Sequence, residues 1–330
     1  MSDYDVAVIG GGPAGLSAAA AAAGSGARTV LFDENRGCGG QLRYRAVNVT
    51  YDGAAVSATE LAHTLAETAR RAGATLAPAS VVWGIYPGFA LTVSGPAVSG
   101  VVSAGRVVIA SGETDLAVAF PGSDLPGVMT GSGLLRMLHL HRVWPGGKRV
   151  ALVGDDAAMA DEVAGAIERA GGAVTARIAG RPIVHERGGV VAGIQAGHDV
   201  SVIDTDLVAI CAGTQPDIAP ALMLECETGY CEALGGFVPQ RSVSQEMSVP
   251  GTFVCGGAAG RGAVEAHIAE GELAGIAAAA SLGLTSDDDL NRAIDALAAL
   301  DPKRATAAGQ VRASWTQHAV EAVRARGVER

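Results

Sequence analysis

The chain has 330 residues, of which 49% are hydrophobic and 18% charged, and its formal net charge is −10 at neutral pH. This composition excludes disorder as the default and argues against nucleic acid or an anionic membrane as a general partner. No apolar run approaches the ~20 residues that span a bilayer, and no basic leader opens the chain, so we expect a cytoplasmic protein without a transmembrane segment. The five cysteines include no C-x-x-C pair, which favours reduced thiols over a disulfide framework.

The chain opens with a strand, a glycine-rich turn and a helix that together form a dinucleotide-binding motif. In DVAVIGGGPAG, Gly10 permits the tight turn, Gly12 lets the backbone approach a pyrophosphate, and Gly15 lets the helix pack on the strand. The helix over 14–23 points its N-terminal amides at the phosphates. A second strand, RTVLFDE, ends in Asp33, whose carboxylate is placed to accept hydrogen bonds from ribose hydroxyls. The alternative is a glycine-rich turn without a ligand, which the agreement of strand, turn, helix and acid disfavours.

Further along the chain, strand and helix signals alternate. Residues 148–153 predict a strand, 157–170 a helix and 173–179 a strand. The run VVAGIQAGHDVSVIDTDLVAI predicts hairpin strands that end in a buried strand. These signals indicate a second unit of the same α/β type.

The end of the chain, 286–330, is rich in alanine and charge. Apolar residues show helical spacing at 294–298 and again at 319–323, and Pro302 separates the two stretches. Periodicity alone leaves two interpretations open, a pair of packing helices or a docking element for another subunit.

Several segments carry a resemblance to a known class. ENRGCGGQLRY follows the first motif, and VVIASG (107–112), DLVAICAGTQP (206–216) and PGTFVCGGAAGRGAVEAHIAEGELAGI (250–276) come later. Together they resemble the two-dinucleotide-domain flavoproteins, the glutathione- and thioredoxin-reductase-like class. VVWGIYPG, FPGSDLPGVMTGSGLL and GGFVPQRSVSQEMSVPG are similar to the dinucleotide-binding subunits of heteromeric amine and amino-acid dehydrogenases. These include sarcosine oxidase α, opine dehydrogenase A, dye-linked proline dehydrogenase α and the hydrogen cyanide synthase flavoprotein subunit. The resemblance covers about residues 4–283.

The resemblance implies an α/β fold of two Rossmann-like, three-layer ββα dinucleotide-binding domains, the second inserted in the first, followed by a helical tail. The expected boundaries are an FAD-binding domain at 1–115 and 245–285, an inserted NAD(P)-binding-like domain at 116–244, and the tail at 286–330.

The same resemblance implies FAD as the cofactor, with NAD or ATP in the same site as the alternative. The implied cofactor-binding residues are Gly10, Gly12, Pro13, Ala14, Gly15, Asp33, Glu34, Gly40, Gln41, Leu42, Val82, Ala110, Ser111, Gly112, Gly256, Gly257 and Ala263. No catalytic residue is identified. The H-x-H pair His139 and His141 lacks accompanying Cys or carboxylate ligands, so no metal site is expected. His267 either faces the cofactor from the last helix or packs within it.

The second nucleotide turn departs from the class. In ALVGDDAAMADE (151–162), Asp156 replaces the glycine that permits close backbone approach, and Met159 replaces the small residue that permits close helix packing. Asp155 adds a second carboxylate, and each would repel a close phosphate charge by ~1 kcal/mol even in water. Arg177 and Arg181, near a possible 2′-phosphate position, are better interpreted as solvated arginines. The inserted domain is therefore expected to be degenerate and not to bind NAD(P)H.

Three further departures narrow the function. The paired cysteines of disulfide reductases are absent, since Cys38 stands alone, which disfavours a standalone disulfide reductase. Gly257 stands where members carry an aspartate that binds the ribityl chain of the flavin, a charge-assisted bond worth about 1.5–3 kcal/mol. No cysteine follows Cys255, so an iron–sulfur centre would belong to another subunit.

The residues and the resemblance together favour an FAD-binding subunit of a heteromeric amine or amino-acid (imino-acid, sarcosine-, glycine- or opine-like) dehydrogenase or oxidase. It would take part in electron transfer from a catalytic glycine/sarcosine-oxidase-like flavoprotein subunit, and a small [2Fe–2S] subunit is the other candidate partner. Two alternatives stay open: a standalone NAD(P)H-dependent flavin oxidoreductase, and a non-redox scaffold subunit that holds a structural adenine nucleotide.

Overall fold

The computed structural model describes residues 2–197 and 201–302. The first part contains the strands β1 (Tyr4–Ile9), β2 (Thr29–Phe32), β3 (Asn48–Tyr51), β4 (Ala54–Ser57), β5 (Thr75–Ala77), β6 (Val81–Tyr86), β7 (Ala90–Ser94) and β8 (Gly100–Ile109), and the helices α1 (Pro13–Gly24) and α2 (Ala58–Arg71). The middle part contains the strands β9 (Glu113–Asp115), β10 (Val128–Thr130), β11 (Arg149–Val153), β12 (Ala173–Ile178), β13 (Ile183–Arg187), β14 (Val190–Gln195), β15 (Ile203–Asp204), β16 (Leu207–Ile210) and β17 (Thr214–Pro216), and the helices α3 (Gly131–Leu135) and α4 (Ala157–Arg169). The last part contains α5 (Ala219–Met223), β18 (Thr228–Cys231), β19 (Gly236–Pro239), β20 (Thr252–Val254), α6 (Val264–Ala280) and α7 (Asp287–Leu300).

The first sheet combines a parallel and an antiparallel part. The parallel strands follow the order β5-β2-β1-β8, and β20 pairs in parallel with the end of β8. The ten-residue strand β8 also pairs antiparallel with β7 through its first half, and β7 pairs with β6. One long strand therefore belongs to both parts and joins them.

Side chains of the parallel strands alternate between two buried faces. Val6 and Val8 of β1 pack in one cluster with α1, α2 and α6, whereas Ala7 and Ile9 pack in another with the β6–β7–β8 meander. This alternation follows from the two-residue period of a strand that is covered on both sides. The result is a sheet with helices on one face and a second sheet on the other.

The middle part repeats this three-layer arrangement. Its parallel strands follow the order β10-β16-β11-β12, and the antiparallel strands β13-β14-β15 cover one face. Val150 and Leu152 pack toward α3 and α4, while Ala151 and Val153 pack toward β13 and β14. The predicted fold class, two three-layer ββα units, is confirmed, and the strand and helix expectations at 148–179 agree within one residue at each end. The exact domain boundaries stay a prediction.

The two segments that connect the units, one leading out of the first unit and one leading back from the second, pair with each other. β9 leaves the first sheet, β17 returns from the second, and they form an antiparallel pair in which Glu113 lies opposite Pro216. Two segments that are about a hundred positions apart in sequence thus meet just after the carboxyl end of β8.

The tail begins with one of the two expected helices. Ser286 caps α7 by accepting a hydrogen bond from the amide of Asp289, and α7 packs on α6. The second stretch, 319–323, lies outside the described residues. Within the described ranges, none of the helices has the length and apolar character needed to cross a membrane.

Candidate dinucleotide-binding site

The turn after β1 is packed so tightly that two of its glycines are obligatory. Gly10 has a φ of +108°, and a β-carbon there would lie 2.2 Å from the carbonyl oxygen of Ala110. A β-carbon at Gly15 would lie 1.9 Å from the carbonyl oxygen of Gly10. These contacts hold helix α1 against the ends of β1 and β8, as the sequence motif predicts.

Gly12 differs from these two glycines because the protein leaves space beside it. Its φ of −73° suits any residue, and the nearest atom to a β-carbon there is the Cα of Gly40, at 4.0 Å. The protein itself therefore does not require glycine at this position. A ligand that approaches the backbone closely would require it.

The N-terminus of α1 is open in the described structure. Gly12 is the N-cap, Pro13 occupies the first turn, and neither a side-chain cap nor an acidic residue satisfies the first amides. Proline has no amide hydrogen to lose, so the first-turn donors that no side chain caps are the amides of Ala14 and Gly15. Unsatisfied amides at the positive end of a helix form an anion site, and their setting fits a pyrophosphate.

Asp33, the expected ribose ligand, has a structural duty as well. One carboxylate oxygen accepts from the amide of Gly11 at 2.6 Å, and the other accepts from the amide of Asn35 at 2.7 Å. Asp33 is only 5% exposed, whereas the neighbouring Glu34 is exposed. Glu34 is therefore the carboxylate with free capacity at the end of β2.

Val82 lies on this same side of the motif. Its strand, β6, begins just after Ser80, whose amide donates to the carbonyl oxygen of Asp33 at 2.8 Å. The backbone of β6 is thus tied to the loop that carries Asp33 and Glu34.

The segment Gly40–Leu42 packs directly on the first turn. The amide of Gly39 donates to the carbonyl oxygen of Gly11 at 2.6 Å, and a β-carbon at Gly40 would lie 2.8 Å from the Cα of Gly12. Leu42 is buried, and Gln41 stays partly exposed beside the open position at Gly12.

The remaining expected residues lie at the carboxyl ends of β8 and β20. Ala110, Ser111 and Gly112 follow β8, Gly256 and Gly257 follow β20, and Ala263 is the N-cap of α6. Because β1, β2, β8 and β20 are parallel, their carboxyl ends meet at one edge of the sheet, where α/β proteins bind ligands.

Three acidic contacts at this edge were not expected from sequence alone. Glu270 is 1% exposed, accepts from the amide of Gly256 at 3.0 Å, and pairs with the buried Arg241 at 3.6 Å. Asp33 holds Gly11, and Glu113 lies beside Gly257. Glu270 is one of three glutamates in the helix sequence EAHIAEGELAG, so the sequence does not single it out, and nothing local marks Glu113.

The second nucleotide turn is closed by its own side chain. Asp156 is the N-cap of α4, and its carboxylate accepts from the amide of Met159 at 3.0 Å. Its own amide donates to the carbonyl oxygen of Cys211 at 3.0 Å. Asp155 is exposed next to it. The end of α4 that corresponds to the open end of α1 therefore already holds an anion.

Arg177 does not offer a free cation for a 2′-phosphate, since it pairs with Asp161 at 2.6 Å. Arg45, which follows the Gly40–Leu42 segment, reaches across to α4 and donates from Nε to Glu162 at 2.9 Å. The Glu162 side chain is 3% exposed, so this ion pair is largely buried. It ties the first unit to the helix that follows the closed turn, beside a cavity of about 430 Å³.

The thiols show no dithiol chemistry. All five cysteines fall within the described residues, and none of them forms a disulfide. Burial, and then the nearby Asp33 carboxylate, raises the pKa of Cys38 to about 11, and burial raises the pKa of Cys211 to about 12. Both are protonated at neutral pH and are poor nucleophiles.

No cluster of three or more metal-ligating side chains occurs in the described part of the chain. His139, one half of the H-x-H pair, instead bonds through Nδ1 to the carbonyl oxygen of Tyr44 at 2.8 Å. This contact joins the loop after the Gly40–Leu42 segment to the second unit.

Residues 4–185, more than half of the chain, match the family model of the pyridine nucleotide-disulphide oxidoreductases, and the chain belongs to that family. It is thus an oxidoreductase of the two-dinucleotide-domain class, which confirms the resemblance seen in the sequence. The A subunit of opine oxidase from Rhizobium meliloti is 27% identical, over 89% of this chain and 74% of that protein. The alpha subunit of sarcosine oxidase from a Corynebacterium species is 30% identical, over 76% of this chain and 26% of that protein.

Two solved structures share the fold. L-proline dehydrogenase from P. horikoshii superposes with a TM-score of 0.76 at 23% identity, covering 88% of this chain and 58% of that one. Thioredoxin reductase from T. acidophilum superposes with a TM-score of 0.66 at 20% identity, covering 86% of this chain and 99% of that one. The match therefore spans about a quarter of the sarcosine oxidase protein and somewhat over half of the proline dehydrogenase chain.

Proposed function

We propose that the chain is the FAD-binding subunit of a heteromeric amine or amino-acid dehydrogenase or oxidase. The observation that carries this proposal is the contrast between two equivalent helix ends. Helix α1 presents uncapped amides beside Gly12, whereas α4 is capped by the carboxylate of Asp156. One turn is suited to a pyrophosphate and the other is not.

The strand order determines how a dinucleotide would lie on the open turn. Glu34 follows β2 on one side of β1, while β8 and β20 lie on the other side. With the pyrophosphate at the end of α1, Glu34 and Val82 would hold the adenosine half. Ser111 and Gly257 would face the second half. FAD, when bound, supplies a flavin that accepts and passes on electrons.

The closed second turn supports electron entry from a protein partner. A nicotinamide dinucleotide on α4 would have to displace the carboxylate of Asp156 from the amide of Met159 and lie against Asp155. Each close carboxylate–phosphate charge pair costs ~1 kcal/mol in water and more when desolvated. Reduction by NAD(P)H is therefore disfavoured, and with it a standalone flavin reductase.

The names of the relatives support a partner of a particular kind. The opine oxidase and sarcosine oxidase relatives are, by name, single subunits of larger oxidases. We infer that a glycine/sarcosine-oxidase-like flavoprotein subunit oxidises the C–N bond and that this chain receives the electrons. A small [2Fe–2S] subunit is a further inferred partner, and a cytoplasmic location stays a prediction.

The alternative is a scaffold subunit that holds NAD or ATP on the open turn. Gly257 favours this alternative, because a glycine at position 257 offers no carboxylate to the ribityl–flavin half of FAD. This alternative keeps the adenosine and pyrophosphate contacts and loses the redox role.

The test is to purify the tagged full chain from its source with its bound partners and to assay amine-dependent dye reduction. We expect a stable complex that contains a second flavoprotein and that reduces the dye with a secondary amine or amino acid, but not with NADH. A chain that purifies alone and reduces the dye with NADH would overturn the proposal. A complex whose activity persists when this chain carries no flavin would favour the scaffold.

A further inference from the structure

Glu113 occupies the space in front of Gly257. A β-carbon at Gly257 would lie 2.5 Å from Cγ of Glu113 and 3.0 Å from its Oε1. The backbone at Gly257 is not in the left-handed region, so its conformation does not require glycine. The nearest obstacle to a side chain here is Glu113, which comes from a different segment of the chain, and the carbonyl carbon of Gly112 lies close as well, at 3.0 Å.

The position of Glu113 is fixed from three directions. Its strand β9 pairs with β17, and one carboxylate oxygen accepts a hydrogen bond from the hydroxyl of Thr214 on β17. The other oxygen, Oε1, lies 4.0 Å from Nε2 of His267 on α6. The Glu113 side chain is 13% exposed, and that of His267 is 14% exposed. The carboxylate is thus held nearly buried, with one oxygen toward Gly257.

This carboxylate lies where the second half of a dinucleotide on the proposed site would pass. The pyrophosphate site at α1 and the ends of β8 and β20 define the direction. In FAD, the chain that joins the pyrophosphate to the flavin ring is a polyol with several hydroxyl donors. A partly buried carboxylate accepts hydrogen bonds from hydroxyls strongly, because the acceptor is charged and water is excluded.

We propose that Glu113, supplied by the crossing strand β9, is the carboxylate that binds the hydroxylated chain of FAD, in front of a glycine at position 257. The proposal rests on the proposed function of an FAD-binding subunit. It assigns Gly257 the role of making room for Glu113, and Thr214 the role of orienting it.

The proposal is tested with two ligands and the refolded, flavin-free full chain. ADP has the adenosine and pyrophosphate of FAD but lacks the polyol and the flavin. We expect Glu113→Gln to weaken FAD binding roughly tenfold to hundredfold, as for loss of one charge-assisted hydrogen bond, and to leave ADP binding within about threefold. The control is Asp115→Asn, which removes a carboxylate from the same strand that bonds to Ser132 instead. It should leave both affinities within about threefold.

Moving the carboxylate from position 113 to position 257 provides a second test. Gly257→Asp alone is expected to lose FAD binding, because its β-carbon would collide with Glu113. The double variant Gly257→Asp/Glu113→Ala removes the Cγ of Glu113 with which the new β-carbon would collide. It also supplies a carboxylate from position 257 in place of the one from position 113. The double variant should therefore bind FAD more tightly than either single variant.

The outcomes separate the two proposals. If the wild type binds FAD more tightly than ADP and Glu113→Gln binds FAD equally well, the assignment of Glu113 is wrong and the FAD-binding role stands. If Glu113→Gln weakens ADP as much as FAD, Glu113 acts on the fold and the assignment is also wrong. If the wild type binds FAD no more tightly than ADP, the FAD-binding role fails and the assignment fails with it.

Discussion

Gly12→Asp would reproduce on the first turn the arrangement that Asp156 forms on the second. Both positions are helix N-caps with extended backbone, and both precede a helix of 12 or 13 residues. The protein leaves 4.0 Å between a β-carbon at Gly12 and its nearest neighbour, so the side chain has space. An aspartate N-cap is a few tenths of a kcal/mol better than glycine. The free energy of unfolding of the nucleotide-free chain should change by less than about 0.5 kcal/mol.

The effect on the ligand should be far larger. The new carboxylate would take the amides that a pyrophosphate needs, each bond being worth about 1.5–3 kcal/mol, and would add ~1 kcal/mol of repulsion per close charge pair. A loss of more than about 3 kcal/mol corresponds to a loss of affinity of more than roughly hundredfold for FAD and ADP alike.

The assay combines thermal unfolding of the nucleotide-free chain with titration of FAD and ADP. Gly12→Ala serves as the matched variant, because it adds the β-carbon without the charge and should weaken both ligands by less than Gly12→Asp. Unchanged affinity in Gly12→Asp would refute the placement of the pyrophosphate at α1. Collapse of the nucleotide-free fold would show that the space beside Gly12 is not open.

Three further predictions concern stability and reactivity. Asp156→Ala should cost about 1 kcal/mol of unfolding free energy, because helix α4 loses its cap. Asp155→Ala, at the exposed neighbouring position, should cost less than about 0.5 kcal/mol. Equal losses of the two variants in chemical denaturation would contradict the assignment of Asp156 as the cap. Arg45→Ala leaves the buried Glu162 without its partner and should cost about 3–5 kcal/mol of unfolding free energy. Arg28→Ala, which breaks the more exposed pair with Asp5, should cost much less, and similar denaturation midpoints for the two variants would contradict this account. Because burial raises the pKa of Cys38 to about 11, the rate of its alkylation should be low at neutral pH and rise steeply toward pH 11. Mass spectrometry follows this rate, and rapid labelling at pH 7 would contradict the buried, protonated thiol.

The fold and the first turn could be predicted from sequence because their signals are local. Gly10, Gly12 and Gly15 stand at fixed spacing between an apolar strand and a small-residue helix. Each position has one steric role, in the tight turn, in the approach of the ligand, or in packing the helix on the strand. Asp156 was also informative, since a carboxylate in a phosphate-binding turn conflicts with the chemistry of the ligand. Its role as the cap of α4 follows from a hydrogen bond to Met159 only three residues away.

The contacts that sequence could not provide all join distant segments. Glu113 contacts Gly257 because β9 pairs with β17 where the chain connects the two units, and no sequence spacing predicts that pairing. Arg45 meets Glu162, 117 positions away in sequence, because the loop after the first motif lies against α4. Asp33 was assigned to the ribose from its position after β2, but its backbone contacts with neighbouring amides depend on the geometry of the turn.

The most direct measurement is the visible absorption spectrum of the full chain after separation from its flavoprotein partner, before and after anaerobic addition of NADH, followed by identification of the nucleotide released on denaturation. We expect a flavin band that NADH leaves unchanged and a release of FAD, since α1 is open and α4 is closed. A flavin band bleached by NADH would contradict the closed second turn. Colourless protein that releases NAD, ATP or no nucleotide would contradict FAD binding at the first.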